Sequence, residues 1–156
     1  MNKLFNIYRQ SFSGLNHWVW LLSFIMLINR AGSMVLVFLS LYLTKELGFS
    51  LTQTGAVLGF FGMGSIAGNY LGGWLTDKYD YFTVMFLSLL VSGFILLFLI
   101  FVKSYVGIII IVTLYSLAAD TFRPANSVAI GEFALPANKT RSFSLMRMAI
   151  NLGFTI

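Results

Sequence analysis

Long runs of apolar residues, separated by short polar connectors, dominate the pattern of this chain. A helix needs roughly 20 apolar residues to cross about 30 Å of hydrocarbon, and four stretches are long enough. The alternation typical of barrel strands is not visible, so helices are the expected elements. The predicted spans are 18–43, 54–75, 82–102 and 105–130, with a fifth beginning near 143. The pattern therefore predicts an all-α integral membrane protein with four full spans and the start of a fifth.

The short connectors predict that consecutive spans run antiparallel, side by side, in one transmembrane helical bundle over residues 17–156. Residues 1–16 form a separate N-terminal segment, and their apolar positions fit an interfacial amphipathic helix or a disordered lead. Basic residues should be more frequent on the cytoplasmic side. A cytoplasmic N-terminus puts five on that side and two on the other: Lys3, Arg9, Lys78, Lys139 and Arg141 against Lys45 and Lys103. We therefore expect a multi-pass protein of the plasma (inner) membrane with a cytoplasmic N-terminus.

The composition agrees with a chain whose solvent is lipid. Hydrophobic residues make up 58% and charged residues only 10%, whereas a soluble domain has about 25% charged residues. The lipid bilayer is therefore the first expected partner. The net charge of +5 includes no basic run with interleaved aromatics, so nucleic acid is not an expected partner. With no cysteine and a single histidine, His17, we expect no metal site, no cofactor and no enzyme active site.

Three ionisable residues lie well inside the predicted spans. Arg30, preceded by Asn29, is near the middle of the first span, and Asp120 and Arg123 are three residues apart in the fourth. A charge within the bilayer costs several kcal/mol or more, so these side chains should face protein or a water-filled path. Two structural alternatives stay open. Asp120 and Arg123 can neutralise each other as a pair, and Arg123 can reach the cytoplasmic headgroups.

Three sequence elements resemble motifs of the major facilitator superfamily. The stretch Gly73-Trp74-Leu75-Thr76-Asp77-Lys78 is similar to the loop motif between the second and third spans. In the fourth span, Arg123-Pro124-Ala125-Asn126-Ser127 resembles the Arg-x-x-Gln-Gly element, with Asn126 in place of Gln. Asn151-Leu152-Gly153 resembles the opening of the fifth-span motif of proton antiporters. The resemblance implies a twelve-span fold of two six-span halves, of which this chain is the N-terminal portion.

The resemblance also implies a function and a set of roles. We expect a secondary active transporter that couples proton movement to export of drugs or small metabolites by alternating access. Its partners would be a small-molecule substrate, protons and the missing C-terminal half. The expected substrate and proton pathway residues are Arg30, Asn29, Asp120, Arg123 and Asn126. The expected conformational gating residues on the cytoplasmic side are Gly73, Asp77, Lys78, Glu132 and Arg141.

Glycines in the second span predict a helix contact. Gly64, Gly68 and Gly72 recur at every fourth residue and leave a bare stripe that another helix can approach closely. We expect that helix to come from the missing half. Two other functions remain open. One is a non-transporting membrane scaffold or assembly subunit, and the other is a complete four-span exporter. Such exporters usually depend on an acid in the first span, where this chain has Arg30.

Overall fold

A computed structural model of the chain describes residues 13–32 and 34–155, apart from the side chains of residues 35–37. Throughout these ranges the regular structure is helical, which confirms the predicted all-α fold. The elements are α1 (His17–Gly32), α2 (Val35–Lys45), α3 (Leu51–Lys78), α4 (Tyr81–Leu99), α5 (Tyr105–Phe133), a 3-10 turn (Pro136–Asn138) and α6 (Lys139–Gly153). Most of the predicted N-terminal segment 1–16 lies outside the described residues, as do both alternatives for its structure.

The first span differs from the prediction of one continuous helix over 18–43. It consists of two helices, because α1 ends at Gly32 and α2 begins at Val35. Gly32 and Ser33 are weaker helix formers than the apolar residues on either side, and hydropathy does not register such a weakness. At 16 and 11 residues, α1 and α2 are each shorter than a bilayer crossing. By length and composition alone, α4 and α5 are the two described helices suited to cross a membrane.

Polar side chains determine where the helices begin. Ser50 and Gln53 form a capping box at the start of α3, since the Gln53 N–H donates to Ser50 Oγ and the Ser50 N–H to Gln53 Oε1. At the start of α4, Asp80 Oδ2 accepts from the N–H groups of Phe82 and Thr83. Such caps satisfy backbone donors that have no partner within the helix. Because α3 continues to Lys78, it extends three residues past the predicted end of the second span at 75, and Asp77 and Lys78 are helical.

The chain divides into two compact units. The terminal unit contains residues 1–32 and 127–156, and the central unit contains residues 33–126. The terminal unit therefore holds α1, the last turns of α5, the 3-10 turn and α6. The central unit holds α2, α3, α4 and most of α5. The residues that the sequence predicts to act together are thus distributed over both units.

In the central unit, the glycine stripe of α3 packs against α5. A Cβ atom at Gly64 or Gly72 would lie 2.5 Å from the carbonyl oxygen of Thr113 or Thr121, and one at Gly68 would collide with the Leu117 carbonyl. The partner residue advances by four with each glycine, so α3 and α5 run parallel. The stripe is therefore a helix contact, as predicted. Its partner, however, is the fourth span of this chain, and the expectation of a helix from a missing half is wrong.

A hydrophobic cluster joins the helices of the central unit at the end opposite Gly72. The cluster brings together buried residues of α2, α3 and α5, namely Leu39, Leu43, Val57, Ile108 and Val112. The Phe49 and Tyr105 rings meet edge to face beside it, with centroids 5.5 Å apart. The end of α2 and the beginnings of α3 and α5 therefore lie together. This arrangement follows from the chain reversal at the short α2–α3 connector.

In the terminal unit, α1 packs parallel to α6. At one end, Asn138 Nδ2 donates to the Gly14 carbonyl at 3.1 Å. At the other end, Gly153 approaches Leu27 and Arg30. The first and fifth spans are thus parallel, as are the second and fourth. Consecutive spans that reverse direction leave alternate spans parallel, as in each of these pairs; one antiparallel bundle that contains both pairs stays a prediction.

Candidate functional site

Arg30 is buried at the end of the first helix. It belongs to the last turn of α1 and its side chain is only 7% exposed. Its Cζ atom lies 5.8 Å from the centroid of the Phe154 ring, within the range of a cation–π interaction. A basic side chain in the last turn also interacts favourably with the negative end of the helix dipole. The structure therefore holds this charge near the middle of the predicted span, directly before the helix is interrupted.

Gly153 makes room for the Arg30 side chain. A Cβ atom at Gly153 would lie 2.6 Å from Arg30 Cβ and 2.8 Å from the Leu27 carbonyl oxygen. Any larger residue would force α1 and α6 apart, because real Cβ atoms do not approach that closely. The glycine of the fifth-span motif thus has a packing role in this chain. Its neighbour Phe154 supplies the ring beside the guanidinium group.

Asp120 lies at a weakened point of α5. Its side chain is 6% exposed, and it is close to the centre of the 29-residue helix. Pro124, four residues later, lies inside the helix and has no N–H group to donate to the Asp120 carbonyl. Arg123, one turn from Asp120, is exposed. The fourth span therefore combines a buried carboxyl group, an exposed guanidinium group and a local interruption of helical hydrogen bonding.

Asn126 is the most deeply buried of the predicted pathway residues. Its side chain is 0% exposed, and neither its amide nitrogen nor its amide oxygen has a hydrogen-bond partner in the structure. Burying an amide without a partner costs roughly 1–3 kcal/mol by mutational measures. A buried amide of this kind calls for an explanation, of which a role in binding is one. By this criterion Asn126 is the best-supported polar site in α5.

The predicted pathway residues fall into two sets. Asn29 and Arg30 belong to the terminal unit, and Asp120, Arg123 and Asn126 belong to the central unit. Within each set the residues are close along one helix. Whether all five face one polar cavity between the first and fourth spans remains a prediction.

The predicted gating residues lie at helix ends. Asp77 and Lys78 are exposed in the last turn of α3, and Lys78 Nζ lies 4.0 Å from the centroid of the Trp74 ring. A Cβ atom at Gly73 would meet nothing within 4 Å, so local packing does not require a glycine there. Glu132 and Arg141 are exposed in the terminal unit. A charge cluster among these residues also remains a prediction.

The structure adds a polar face on α6 that the sequence reasoning missed. A surface depression follows this helix and is lined partly by Ser144, Arg147, Asn151 and Thr155. These residues are exposed on the side that α1 does not cover. Their spacing of three, four and four residues places them on one helical face. That spacing was available in the sequence and would have revealed Arg147 as a further charge within the fifth span.

Comparisons with known proteins agree with the helical architecture. The family profile described as the Major Facilitator Superfamily matches residues 19–156. Two uncharacterized MFS-type transporters of Bacillus subtilis (strain 168) are similar to the chain. YttB is 30% identical over 132 residues, which cover 84% of this chain and 33% of YttB. YqjV is 29% identical over 127 residues, which cover 80% of this chain and 30% of YqjV. No solved structure matches significantly. The chain spans about a third of the length of these relatives.

Proposed function

This chain belongs to the major facilitator superfamily, and from that membership we propose that it forms the first part of a proton-coupled transporter. The proposed activity is the export of drugs or small metabolites by alternating access. Because the chain spans about a third of its relatives, the remaining spans would come from sequence outside it. The proposal includes a cytoplasmic N-terminus in the plasma membrane, favoured by five basic residues against two.

The observation that carries the proposal is the buried carboxyl group of Asp120. It is the one carboxylate in the interior of the described spans, and its side chain is 6% exposed. Intramembrane ionisable residues are costly and typically mark ion or proton pathways. A carboxyl group can bind and release a proton, whereas an arginine stays charged. We therefore assign proton transfer to Asp120.

The interrupted first span supports a binding site beside Arg30. Substrate and coupling-ion sites of secondary transporters lie near the bilayer midplane and are often built by discontinuous helices. Here α1 ends at Gly32 and α2 begins at Val35, with buried Arg30 in the last turn before the break. In the proposal, Arg30 and Arg123 attract an anionic group or hold Asp120 ionised. Asn29 and Asn126 offer hydrogen bonds along the pathway.

The polar face of α6 extends the proposed pathway to the fifth span. Arg147 and Asn151 are exposed on a helix whose opposite side packs on α1. Charged side chains within a span face protein or water far more often than lipid. We therefore include Ser144, Arg147 and Asn151 among the pathway residues. Arg147 gives the proposed pathway more positive charge than the residues of the first and fourth spans supply alone.

The test is Asp120→Asn in the complete transporter, reconstituted in vesicles with an imposed proton gradient. Ethidium and a panel of anionic dyes serve as transport probes. We expect gradient-driven accumulation to fall to the background of empty vesicles, because the amide cannot carry a proton. Exchange of labelled for unlabelled probe without a gradient should persist, since it needs binding and the conformational change only.

The matched control is Glu46→Gln, which removes an exposed carboxylate outside the spans. It should transport as the unaltered protein does. Normal uphill transport by the Asp120→Asn protein would exclude Asp120 as the proton carrier and leave a structural role for this residue. Loss of both accumulation and exchange, with normal folding, would instead place Asp120 in substrate binding.

A further inference from the structure

A deep apolar groove lies in the central unit where α3, α4 and α5 meet. It has a volume of about 440 Å³, within the range of sites that bind small molecules. Its walls are residues spaced by four along α3 and α4, and its floor is on α5; the lining includes Leu71, Leu75, Tyr79, Leu87, Val91 and Ala118. We propose that this groove binds one hydrocarbon chain of a membrane phospholipid, whose phosphate group is held beside Lys78.

The lining of the groove is suited to hydrocarbon. Two of its hydroxyl groups are bonded to backbone carbonyls: Ser88 Oγ donates to the Met85 carbonyl at 2.9 Å, and Thr121 Oγ1 to the Leu117 carbonyl at 2.8 Å. These side chains therefore present methyl and methylene groups and do not require a polar ligand. An occupant gains from apolar contact alone along most of the groove.

The length of the groove is close to that of one leaflet. Its lining on α4 runs from Thr83 to Val91, a distance of about 12 Å along the helix axis. Half of a hydrocarbon core of about 30 Å is about 15 Å. A chain that enters beside the α3–α4 connector would therefore end near Val91, close to the bilayer midplane.

The mouth of the groove has the features of a headgroup region. Tyr79 lines this end of the groove and is 60% exposed. Trp74 and Lys78 lie on the neighbouring face of α3. Tyrosine, tryptophan and lysine are typical anchors at the membrane–water interface. The Lys78 ammonium group, 4.0 Å from the Trp74 ring centroid, complements the charge of a lipid phosphate. The carboxylate of Asp80 is already bound to the first N–H groups of α4.

The experiment is native mass spectrometry of this chain in detergent, supplemented with either dioleoyl-phosphatidylglycerol or dioleoylglycerol. The two lipids share their hydrocarbon chains, but only the first has a phosphate. Leu87→Trp fills the rim of the groove, and Leu90→Trp is the matched control. Both leucines are exposed on α4, and Leu87 alone of the two lines the groove. Lys78→Gln tests the phosphate contact.

We expect the unaltered chain to retain one phosphatidylglycerol. Leu87→Trp should weaken retention of both lipids about tenfold, as expected if about two methylene groups are displaced, and Leu90→Trp should change it less than twofold. Lys78→Gln should weaken phosphatidylglycerol retention about fivefold and leave dioleoylglycerol retention unchanged. Circular dichroism checks each fold, and Val91→Phe replaces Leu87→Trp if that variant unfolds.

Three results would overturn the proposal. Equal loss in the Leu87 and Leu90 variants would mean that the lipid binds the general surface of the helices. Equal loss of both lipids in Lys78→Gln would remove the phosphate contact. A protein dimer that the Leu87 variant dissociates would identify a second copy of the chain as the occupant.

Discussion

The absence of a side chain at Gly153 determines how the Arg30 charge is held at the centre of the first span. Gly153 allows α6 to approach α1 so closely that Arg30 is confined between the helix surface and the Phe154 ring. Arginine has a long side chain with considerable rotamer freedom, and a charge at a functional site must be held in few orientations. The tight contact with α6 contributes to that restriction.

At this scale we predict that Gly153→Ala destabilises the protein. The new Cβ atom would lie 2.6 Å from Arg30 Cβ and 2.8 Å from a backbone oxygen, and such overpacking costs about 1–3 kcal/mol. Unfolding in mixed micelles, followed by circular dichroism, measures the change. Gly93→Ala is the control, because a Cβ atom there meets nothing within 4 Å. An equal loss in both variants would show that contact with α1 is not the cause.

At the scale of elements, α3 and α5 lie close enough for their backbones to be in contact at three glycines. Their contact depends on backbone approach, and Thr121 Oγ1 adds a bond across it by donating to the Gly68 carbonyl at 3.2 Å. Small residues at such contacts replace the hydrophobic driving force, which is absent between helices in lipid. The pair is therefore stabilised by close packing and polar contact.

We predict that Gly68→Ala destabilises the isolated chain by about 1–3 kcal/mol, because its Cβ atom would collide with the Leu117 backbone. Gly59→Ala in the same helix should be neutral or slightly stabilising, since its Cβ atom meets nothing within 4 Å and alanine favours helices. Unfolding of both variants in the same micelles gives the comparison. If Gly68→Ala proved harmless in the chain alone, the stripe would not pack on α5 as described.

The sequence predicted the helical fold and the contact face of α3 because both follow from periodicity. Spacing by four residues identifies a stripe such as Gly64, Gly68 and Gly72, but it does not identify the partner helix. That partner depends on the three-dimensional path of the chain, and the prediction was wrong. The interruption after Gly32 escaped for a different reason, since one long predicted span includes the polar residues around it and no proline marks it.

The candidate site was predictable in part. Arg30 and Asp120 were found because a charge inside an apolar run is conspicuous, and the structure buries both. The lack of hydrogen-bond partners for Asn126 could not be foreseen, because neutral amides occur in spans for many reasons. Arg147 lies in a less apolar segment with several polar neighbours. Arg147 therefore does not stand out from its neighbours by hydropathy, although the helical spacing of the polar residues identifies it.

At the scale of the whole molecule, we predict that the exposed charge of Asp77 biases the conformational equilibrium of the transporter. Asp77→Lys should reduce the initial transport rate several-fold in vesicles while expression and folding stay normal. Each exposed pair contributes less than about 1 kcal/mol, which is enough to shift a balanced two-state equilibrium. Asp77→Asn should have a smaller effect of the same sign. Unchanged rates in both variants would remove a cytoplasmic latch from the mechanism.

The predicted orientation is directly testable because the chain has no cysteine. Single cysteines replace Lys78, at the end of α3, and Lys103, in the α4–α5 connector, which lie on opposite sides of the predicted bundle. A membrane-impermeant maleimide added to intact cells should label Lys103→Cys and not Lys78→Cys. Both should react once the cells are opened. The reverse pattern would place the N-terminus outside.

The spacing of the α3 glycines also restricts how the transporter can move. Three backbone contacts repeat at intervals of four residues, or about 6 Å along the axis. If α3 slid along α5 by less than one interval, side chains would meet backbone at every contact simultaneously. A slide of one whole interval would bring Phe60 or Thr76 into the place of a glycine, and it is also far larger than the 1–2 Å shifts typical of adjusting helices. The second and fourth spans should consequently move as one rigid body in any conformational change of the protein.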